Sequence, residues 1–141
     1  MSATLRSILL VEDNAMDVDL TLRAFKRSRL ANPVQVARDG EELLAWMPRW
    51  EAGEPYPLVI LLDINMPRMS GLEALQRLKS HAELRVIPVV VLTTSQVGED
   101  VRNAYLAGAN SYIVKPVDFD KFFDVAAQIE LYWAALNRAP D

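Results

Sequence analysis

Short hydrophobic runs alternate with segments of helical periodicity along the whole chain. Five runs are almost entirely apolar, and such blocks are typical of strands that are buried on both faces of a parallel sheet. The predicted strands cover residues 8–11, 34–36, 58–62, 87–92 and 112–114. Because helical segments separate these strands, the pattern predicts a doubly wound α/β fold.

Five segments have the spacing of amphipathic helices that pack on such a sheet. They lie after Asn14-Ala15, over residues 41–47, around Leu72, Leu75 and Leu78, between Gly98 and Gly108, and over residues 119–136. A cluster of turn-forming residues, Pro48, Gly53, Pro55 and Pro57, predicts a long loop between the second helix and the third strand.

Length and composition restrict the class of protein. A chain of 141 residues fits one domain, and 51% hydrophobic with 24% charged residues is ordinary globular composition. The net charge of -4 disfavours binding to a nucleic-acid backbone, so we expect no nucleic-acid partner. The absence of cysteine excludes thiolate sites, and the single histidine, His81, excludes a multi-histidine metal site.

The hydrophobic runs are too short to cross a membrane or to form a secretion signal. The longest run covers only residues 86–92, and Arg6 precedes an apolar stretch of only four residues, 8–11. We therefore expect a cytoplasmic protein that does not contact a membrane.

Polar side chains follow four of the predicted strands. The strands end at Glu12-Asp13, at Asp63, at Thr93-Thr94-Ser95 and at Lys115-Pro116. Because ligands of open parallel sheets bind beyond the carboxyl ends of the strands, we expect these groups to converge in one crevice.

Each of these residues also has a plain structural interpretation, since an aspartate after a strand is most often a helix cap or a turn residue. Convergence favours a site instead. Three clustered carboxylates repel one another unless one is protonated or a cation binds, and an all-oxygen site with few ligands suits Mg²⁺. Lys115, at the end of a buried strand, must lose its hydration or find a partner.

Four short motifs resemble the receiver domain of bacterial two-component response regulators. They are Glu12-Asp13, Asp63-Ile64-Asn65-Met66-Pro67 with Gly71, Thr93, and Lys115-Pro116. They occur in the family's order over about residues 6–136, and the resemblance implies a flavodoxin-like (βα)5 three-layer sandwich with strand order 2-1-3-4-5. It also implies a single receiver domain over residues 1–141 with no output domain.

The resemblance further implies a role for each site residue. Asp63 is the expected phosphoacceptor, which takes a phosphoryl group from a phosphohistidine of a sensor histidine kinase with the help of Mg²⁺. Thr93 and Lys115 are expected to bind phosphoryl oxygens. Mn²⁺ or Ca²⁺ is expected to replace Mg²⁺ in crystals. The expected metal ligands are Glu12 (mainly through water), Asp13, Asp63 and the backbone carbonyl of Asn65.

By the same resemblance, phosphorylation draws Thr93 toward the phosphoryl group and the switch residue Tyr112 rotates inward. A half-buried strand tyrosine is the alternative interpretation of Tyr112. Asn65 and Thr94 lie where the family controls hydrolysis of the aspartyl phosphate, so we expect Thr94→Ala to change the dephosphorylation rate. The chain is expected to be a signalling protein with its own phosphorylation and dephosphorylation chemistry, and not an enzyme.

The chain from Lys115 onward carries three more expectations. The family has a cis peptide bond between Lys115 and Pro116, whereas sequence alone favours trans. The last helix is longer than the sheet requires, and its outer residues are a candidate homodimer or partner surface: Phe119, Tyr132, Trp133 and Leu136. Tyr132-Trp133, Thr93-Thr94-Ser95 and residues 115–118 also resemble single-domain response regulators paired with bacterial phytochromes.

Three other functions compete with this interpretation. A receiver-like interaction module that is never phosphorylated usually lacks an acid or the lysine, and this chain has all of them. A Mg²⁺-dependent phosphohydrolase needs an acid two residues after its nucleophile, where this chain has Asn65. A flavodoxin-like cofactor binder needs a phosphate loop where Glu12-Asp13-Asn14 lies. His81 is interpreted as a solvated loop residue and not as a phosphotransfer group.

Overall fold

Five parallel strands form one sheet in the order β2-β1-β3-β4-β5. The computed structural model describes residues 5–66 and 69–140. The strands are β1 Ile8–Val11, β2 Val34–Ala37, β3 Val59–Leu62, β4 Val89–Thr93 and β5 Ser111–Val114. The predicted doubly wound α/β fold and its strand order 2-1-3-4-5 are therefore confirmed, and each predicted strand lies within two residues of its observed position.

Helices cover both faces of the sheet. They are α1 Ala15–Arg27, α2 Gly40–Ala45, α3 Met47–Glu51, α4 Gly71–Lys79, α5 Gly98–Leu106 and α6 Phe119–Ile129. A 3₁₀ turn covers Leu84–Val86, and a π-helical segment, Glu130–Leu136, continues α6. No helix among the described residues is long and apolar enough to cross a membrane.

Alternate residues of the strands enter two separate cores, which gives the three layers. Leu9 and Val11 of β1 lie in the core that α2 to α5 cover. Ile8 and Leu10 lie in the opposite core, which α1 and α6 cover with residues such as Phe25 and Phe122. Because both faces of the three central strands are buried, β1, β3 and β4 contain uninterrupted apolar runs, as parallel strands do.

Side chains with an accepting oxygen begin several of the helices. The Asn14 side chain accepts hydrogen bonds from the backbone of Met16 and Asp17 at the start of α1. Asp118 does the same at the start of α6, where it accepts from Asp120 and Lys121. These caps satisfy backbone donors that have no partner within the helix, so both predicted helix starts are confirmed.

The predicted loop over residues 48–57 is wrong in its first part, because residues 47–51 form α3. Pro48 lies in the first turn of α3, where a proline costs no backbone hydrogen bond. Trp50 is buried, its ring stacks on that of Trp46 at a centroid distance of 6.0 Å, and the Arg49 guanidinium lies 3.9 Å from the Trp46 ring. Burial of Trp50 and its packing on the half-buried Trp46 therefore stabilise a helix in a segment that its prolines and glycine mark as a turn.

Candidate functional site

Three carboxylates meet at the carboxyl edge of the sheet. The strand register pairs Val11 with Leu62, so the residues that follow them, Glu12 and Asp63, leave neighbouring strands at the same level. Carboxylate oxygens of Glu12, Asp13 and Asp63 all lie within 4.8 Å of one another. Glu12 and Asp63 are buried, whereas Asp13 is exposed. Hard divalent cations prefer such an all-oxygen donor set, so these residues fit a divalent metal site.

The Lys115 side chain enters this cluster from β5. Its Nζ contacts Glu12 Oε1 and lies 3.4 Å from Asp17 Oδ2 and 3.6 Å from Asp63 Oδ2. Only 7% of Lys115 is exposed. Burial alone lowers the pKa of Lys115, but the contact with Glu12 and the nearby charge of Asp63 outweigh burial and raise it. Lys115 therefore remains a buried cation beside the Asp63 carboxylate.

Glu12 is the most deeply buried acid of the cluster, with 2% exposed surface. Burial raises the pKa of Glu12 to about 7, although the hydrogen bond and charge of Lys115 oppose this shift. Asp63 adds to the shift by repulsion between the two carboxylates. Cations near this carboxylate favour its ionised form, so ionised Glu12 depends on Lys115 and on any bound metal.

The segment after Asp63 packs tightly against the start of α4. The Asn65 backbone N–H donates a hydrogen bond of 2.9 Å to Asp63 Oδ1. A methyl group at Gly71 would lie 2.3 Å from the backbone oxygen of Asp63 and 2.7 Å from the Cα of Ile64. Only a glycine therefore fits at this position of the motif. Pro67 of the same motif lies outside the described residues.

Thr93 ends β4 beside this segment and is fully buried. The Asn65 side-chain amide donates a 3.3 Å hydrogen bond to Thr93 Oγ1, and Lys115 N–H donates to the Thr93 backbone oxygen at 2.7 Å. Asn65 and Thr94 are both exposed at the rim of the crevice. The structure thus brings Thr93 and Asn65 into contact, and the predicted hydrolysis-controlling side chains face solvent.

Tyr112 lies half-buried on β5, one strand away from Thr93. Its ring packs on the core that α2 to α5 cover, and its hydroxyl donates a 3.0 Å hydrogen bond to the backbone oxygen of Ser95. Burial is the main cause that raises the pKa of Tyr112. The nearby charges of Asp100 and Asp63 raise it further.

The expected cis bond before Pro116 is wrong. No cis peptide bond occurs in residues 5–66 and 69–140, so the Lys115–Pro116 bond is trans. The trans isomer is favoured by about 0.5–1 kcal/mol at such a bond, and only specific packing reverses this preference. Lys115 reaches Glu12 and Asp63 with the trans bond, so the convergence of the site does not depend on the cis isomer.

The proposed partner surface on the last helix is partly exposed. Phe119, Tyr132 and Leu136 are exposed, Leu136 to 67%, whereas Trp133 is half-buried against the core beneath α6. The Tyr132 and Trp133 rings meet edge to face at 4.9 Å. They line one side of a groove of about 490 Å³ between β5 and the last helix.

Sequence reasoning missed several residues that the fold brings to or near the site. Asp17 contacts Lys115 from the first turn of α1, and Asp100 accepts a 2.5 Å hydrogen bond from Ser95 Oγ. The sequence pattern did not point to Asp17, because an acid in the first turn of α1 is already explained by the helix dipole. His81 lies in a loop, as predicted, but it is only partly solvated: its Nδ1 accepts from the backbone of Glu83 and Leu84, and its side chain is 25% exposed.

Comparison with known proteins agrees with this geometry. The sequence matches the response regulator receiver domain family over residues 8–127. It is 40% identical over 134 residues to the probable methanogenesis regulatory protein FilR2 of Methanothrix harundinacea, covering 94% of this chain and 86% of that protein.

Two solved structures share the whole fold. One is the phosphorylated cyanobacterial phytochrome response regulator RcpA, with a TM-score of 0.88, 35% identity and coverage of 97% of this chain and 99% of that chain. The other is the Mn²⁺-bound form of response regulator Rcp1, a protein of Synechocystis sp., with a TM-score of 0.86, 34% identity and coverage of 96% and 99%. With the family match and the shared fold, the chain belongs to the response regulator receiver family, whose members are phosphoacceptors of two-component signal transduction.

Proposed function

We propose that Asp63 is the phosphoacceptor of this chain and that it receives its phosphoryl group from a phosphohistidine of a sensor histidine kinase. The observation that carries the proposal is the position of Asp63. Its carboxylate lies at the carboxyl edge of the sheet, between two further acids and the buried Lys115 ammonium. This arrangement combines a nucleophilic oxygen with a cation beside it, which is what transfer between two anions requires.

In the proposed step an Asp63 carboxylate oxygen attacks phosphorus as the N–P bond of phosphohistidine breaks. The bonding electrons leave with the imidazole nitrogen, and the phosphoryl group becomes an acyl phosphate on Asp63. Lys115 is proposed to pair with a phosphoryl oxygen, and its distance of 3.6 Å from Asp63 Oδ2 supports this role. Thr93 is proposed to hydrogen-bond another phosphoryl oxygen after its hydroxyl turns away from Asn65.

Mg²⁺ is the cation we propose for the acidic cluster. When bound, it supplies positive charge that reduces the repulsion between the Asp63 carboxylate and the incoming phosphoryl group. Asp13 and Asp63 are the proposed direct ligands, with the Asn65 backbone carbonyl as a third and Glu12 acting mainly through water. Mn²⁺ or Ca²⁺ is proposed to replace Mg²⁺, and the Mn²⁺-bound form of Rcp1 supports such a replacement in a relative.

We propose that the switch consists of Thr93 and Tyr112 and that Asn65 and Thr94 control hydrolysis of the acyl phosphate. The hydrogen bond from Asn65 to Thr93 supports a connection between these two functions. The exposed position of Thr94 supports a role in the access of water. The chain then gains and loses its own phosphoryl group as a signalling protein, and it does not turn over a separate substrate.

The alternative of a phosphohydrolase requires a general acid two residues after the nucleophile. Asn65 occupies that position, and its amide is far too weak an acid to protonate a leaving group. The alternative of a module that is never phosphorylated requires a defect in the site. Glu12, Asp13, Asp63 and Lys115 all meet here, which favours the phosphoacceptor.

The proposed partners act at protein surfaces. We propose that residues 1–141 act as one receiver domain, with its core over about 6–136, which passes on its signal by protein–protein contact. The proposed homodimer surface comprises Phe119, Tyr132, Trp133 and Leu136, because exposed aromatic groups at a helix end favour association. The net charge of -4 disfavours direct nucleic-acid binding.

The proposed kinase is a phytochrome, because the similar protein RcpA is a phytochrome response regulator. FilR2, at 40% identity, is a probable methanogenesis regulatory protein, so the family alone does not specify the stimulus. A cytoplasmic location is part of the proposal, since a histidine kinase draws its phosphoryl group from ATP.

The test is intact mass after incubation with acetyl phosphate or a phosphorylated kinase in the presence of Mg²⁺. The wild-type protein is expected to gain about 80 Da, and Asp63→Asn is expected to remove that gain. Asp19→Asn is the matched control, because Asp19 is an exposed acid that pairs with Arg23 on α1. Equal gains in wild type and Asp63→Asn would show that another residue is the acceptor.

A further inference from the structure

One residue of the β4–α5 loop contacts both proposed switch residues. The Ser95 backbone oxygen accepts the Tyr112 hydroxyl at 3.0 Å. The Ser95 backbone N–H points to Thr93 Oγ1 at 3.5 Å. Movement of Ser95 would therefore change the contacts that both Tyr112 and Thr93 make with the β4–α5 loop.

The Ser95 side chain is itself held by the first turn of α5. Its hydroxyl donates a 2.5 Å hydrogen bond to Asp100 Oδ2 and accepts one of 3.3 Å from the Val97 N–H. Hydrogen bonds to a charged acceptor are shorter and stronger than neutral ones, and a distance of 2.5 Å is at the short end of the range for a hydroxyl and a carboxylate. Ser95 and Asp100 are both partly buried, which limits competition from water for their hydrogen bond.

Any acid in the first turn of a helix interacts well with the helix dipole, so the sequence of α5 has an ordinary explanation for Asp100. The direction of the Asp100 side chain is not accounted for by the helix dipole. Glu99 lies in the same turn and is exposed, whereas Asp100 points back to the loop that precedes the helix. The dipole accounts equally for both acids, but only the contact with Ser95 accounts for the direction of Asp100.

The negative charge of Asp100 also affects the pKa of the proposed switch residue Tyr112. Burial raises the pKa of Tyr112, and the negative charges of Asp100 and Asp63 raise it further. The Tyr112 hydroxyl thus lies in the field of both the proposed phosphoacceptor and the α5 acid. The Tyr112 hydroxyl is therefore electrostatically linked to Asp63 in the crevice and to Asp100 on α5.

We propose that Asp100 is a positioning residue that, through Ser95, holds the β4–α5 loop where Tyr112 and Thr93 meet it. The role of Asp100 rests on the proposed function in one respect, that Thr93 and Tyr112 are the switch. Without the Asp100 carboxylate, the Ser95 hydroxyl loses its charged acceptor and the loop gains freedom. The Tyr112 hydroxyl then lacks a fixed acceptor, and its ring becomes more exposed to solvent.

The experiment follows the Tyr112 ring by NMR of protein with ¹³C-labelled tyrosine, with the resonance assigned through Tyr112→Phe. Asp100→Asn and Ser95→Ala are expected to shift the Tyr112 resonance by similar amounts. The double variant is expected to show the shift of either single variant and not their sum, because both substitutions remove one interaction. Ser95→Thr, which keeps the hydroxyl, is expected to restore the wild-type resonance.

Glu99→Gln is the matched control, since it removes an acid from the same helix turn but no contact with Ser95. An unchanged Tyr112 resonance in Asp100→Asn and Ser95→Ala overturns the proposal, and so does an equal shift in Glu99→Gln. Thermal unfolding of each variant checks that it is folded, and the two independent single variants keep the test decisive if one of them is not.

The second measurement is the affinity for beryllofluoride, a phosphoryl analogue. Asp100→Asn is expected to bind it about three- to tenfold more weakly, which is the effect of losing one hydrogen bond that supports the bound state. An unchanged affinity overturns the coupling even if the ring moves. The Tyr112 resonance is read in the unmodified protein, so a failure of Asp63 to accept a phosphoryl group is seen separately in the mass experiment.

Discussion

A buried lysine and a half-buried one lie at opposite ends of the sheet, and their surroundings differ in kind. Lys115, at the carboxyl edge, lies among the carboxylates of Glu12, Asp17 and Asp63. Lys79, at the amino edge, donates to the backbone oxygens of Arg85 at 2.9 Å and Ile87 at 2.6 Å and to Asn110 Oδ1 at 3.3 Å. One ammonium has charged partners and the other has neutral dipoles.

This difference has opposite effects on the two groups. Acidic neighbours outweigh burial and raise the pKa of Lys115, whereas burial lowers the pKa of Lys79 to about 8. Lys79 connects the end of α4 to the segments that precede β4 and β5, and Asn110 Oδ1 also accepts from Val89 N–H at 2.8 Å. Lys79 therefore has the contacts of a structural cross-link, and Lys115 those of a group that serves a reaction.

The largest expected effect is on the rate of phosphorylation, which should depend on Lys115 and not on Lys79. Lys115→Met is expected to slow phosphorylation by acetyl phosphate by about 10²–10³-fold, since it removes the cation beside the reacting oxygen. Lys79→Met is expected to leave the rate within about twofold and to lower the free energy of unfolding by about 1–3 kcal/mol, because it removes three hydrogen bonds. Intact mass against time and urea unfolding measure the two quantities. A similar loss of rate in both variants would abolish the distinction.

Substitution of one glycine at each of these two edges of the sheet tests the same difference between them. Gly71→Ala places a methyl group 2.3 Å from the Asp63 backbone oxygen, and Gly108→Ala places one 2.6 Å from Lys79 Cγ at a residue with φ of 110°. Each is expected to cost about 1–3 kcal/mol of unfolding free energy, but only Gly71→Ala is also expected to slow phosphorylation.

Gly98→Ala is the control for the two glycine variants, since nothing lies within 4 Å of its added carbon and its φ needs no glycine. It is expected to leave the free energy of unfolding within about 1 kcal/mol of wild type. A phosphorylation rate in Gly71→Ala equal to that of Gly108→Ala would contradict the idea that only the carboxyl edge is tied to the reaction.

The smallest expected effect concerns pH. The pKa of Lys79 is lowered in the folded protein to about 8 from an ordinary 10.5, so the unfolded chain binds more protons between these values. The difference in unfolding free energy between wild type and Lys79→Met is therefore expected to rise as pH increases from 8 to 10.5. Solvent near this half-buried group limits the rise to about 1 kcal/mol. Urea unfolding at pH 7.5, 8.5 and 9.5 measures it, and a fall over this range would show that charged partners govern Lys79 too.

Sequence patterns predicted the strands and several helix starts because both depend on local interactions. The apolar runs match the buried strands, and Asn14 and Asp118 satisfy backbone donors one turn away. Helix α3 was not predicted, because its proline indicates a turn. The helix is stabilised by tertiary packing of the buried Trp50, which the local sequence does not reveal. The cis bond came from the family resemblance, and the chain has the trans bond that local energetics favour.

The sequence alone determined which polar residues end the strands, since each directly follows an apolar run, and the topology of a parallel sheet brings such ends together. Tertiary structure alone decided which side chains touch. Lys115 meets Glu12 across 103 positions of the chain and Asp17 across 98. Tyr112 meets Ser95 across 17 positions, in a loop that also contacts Asp100 of α5 through the Ser95 hydroxyl. Spacing along the chain does not encode such pairs, because the packing of helices on the sheet sets the distances between side chains from different elements.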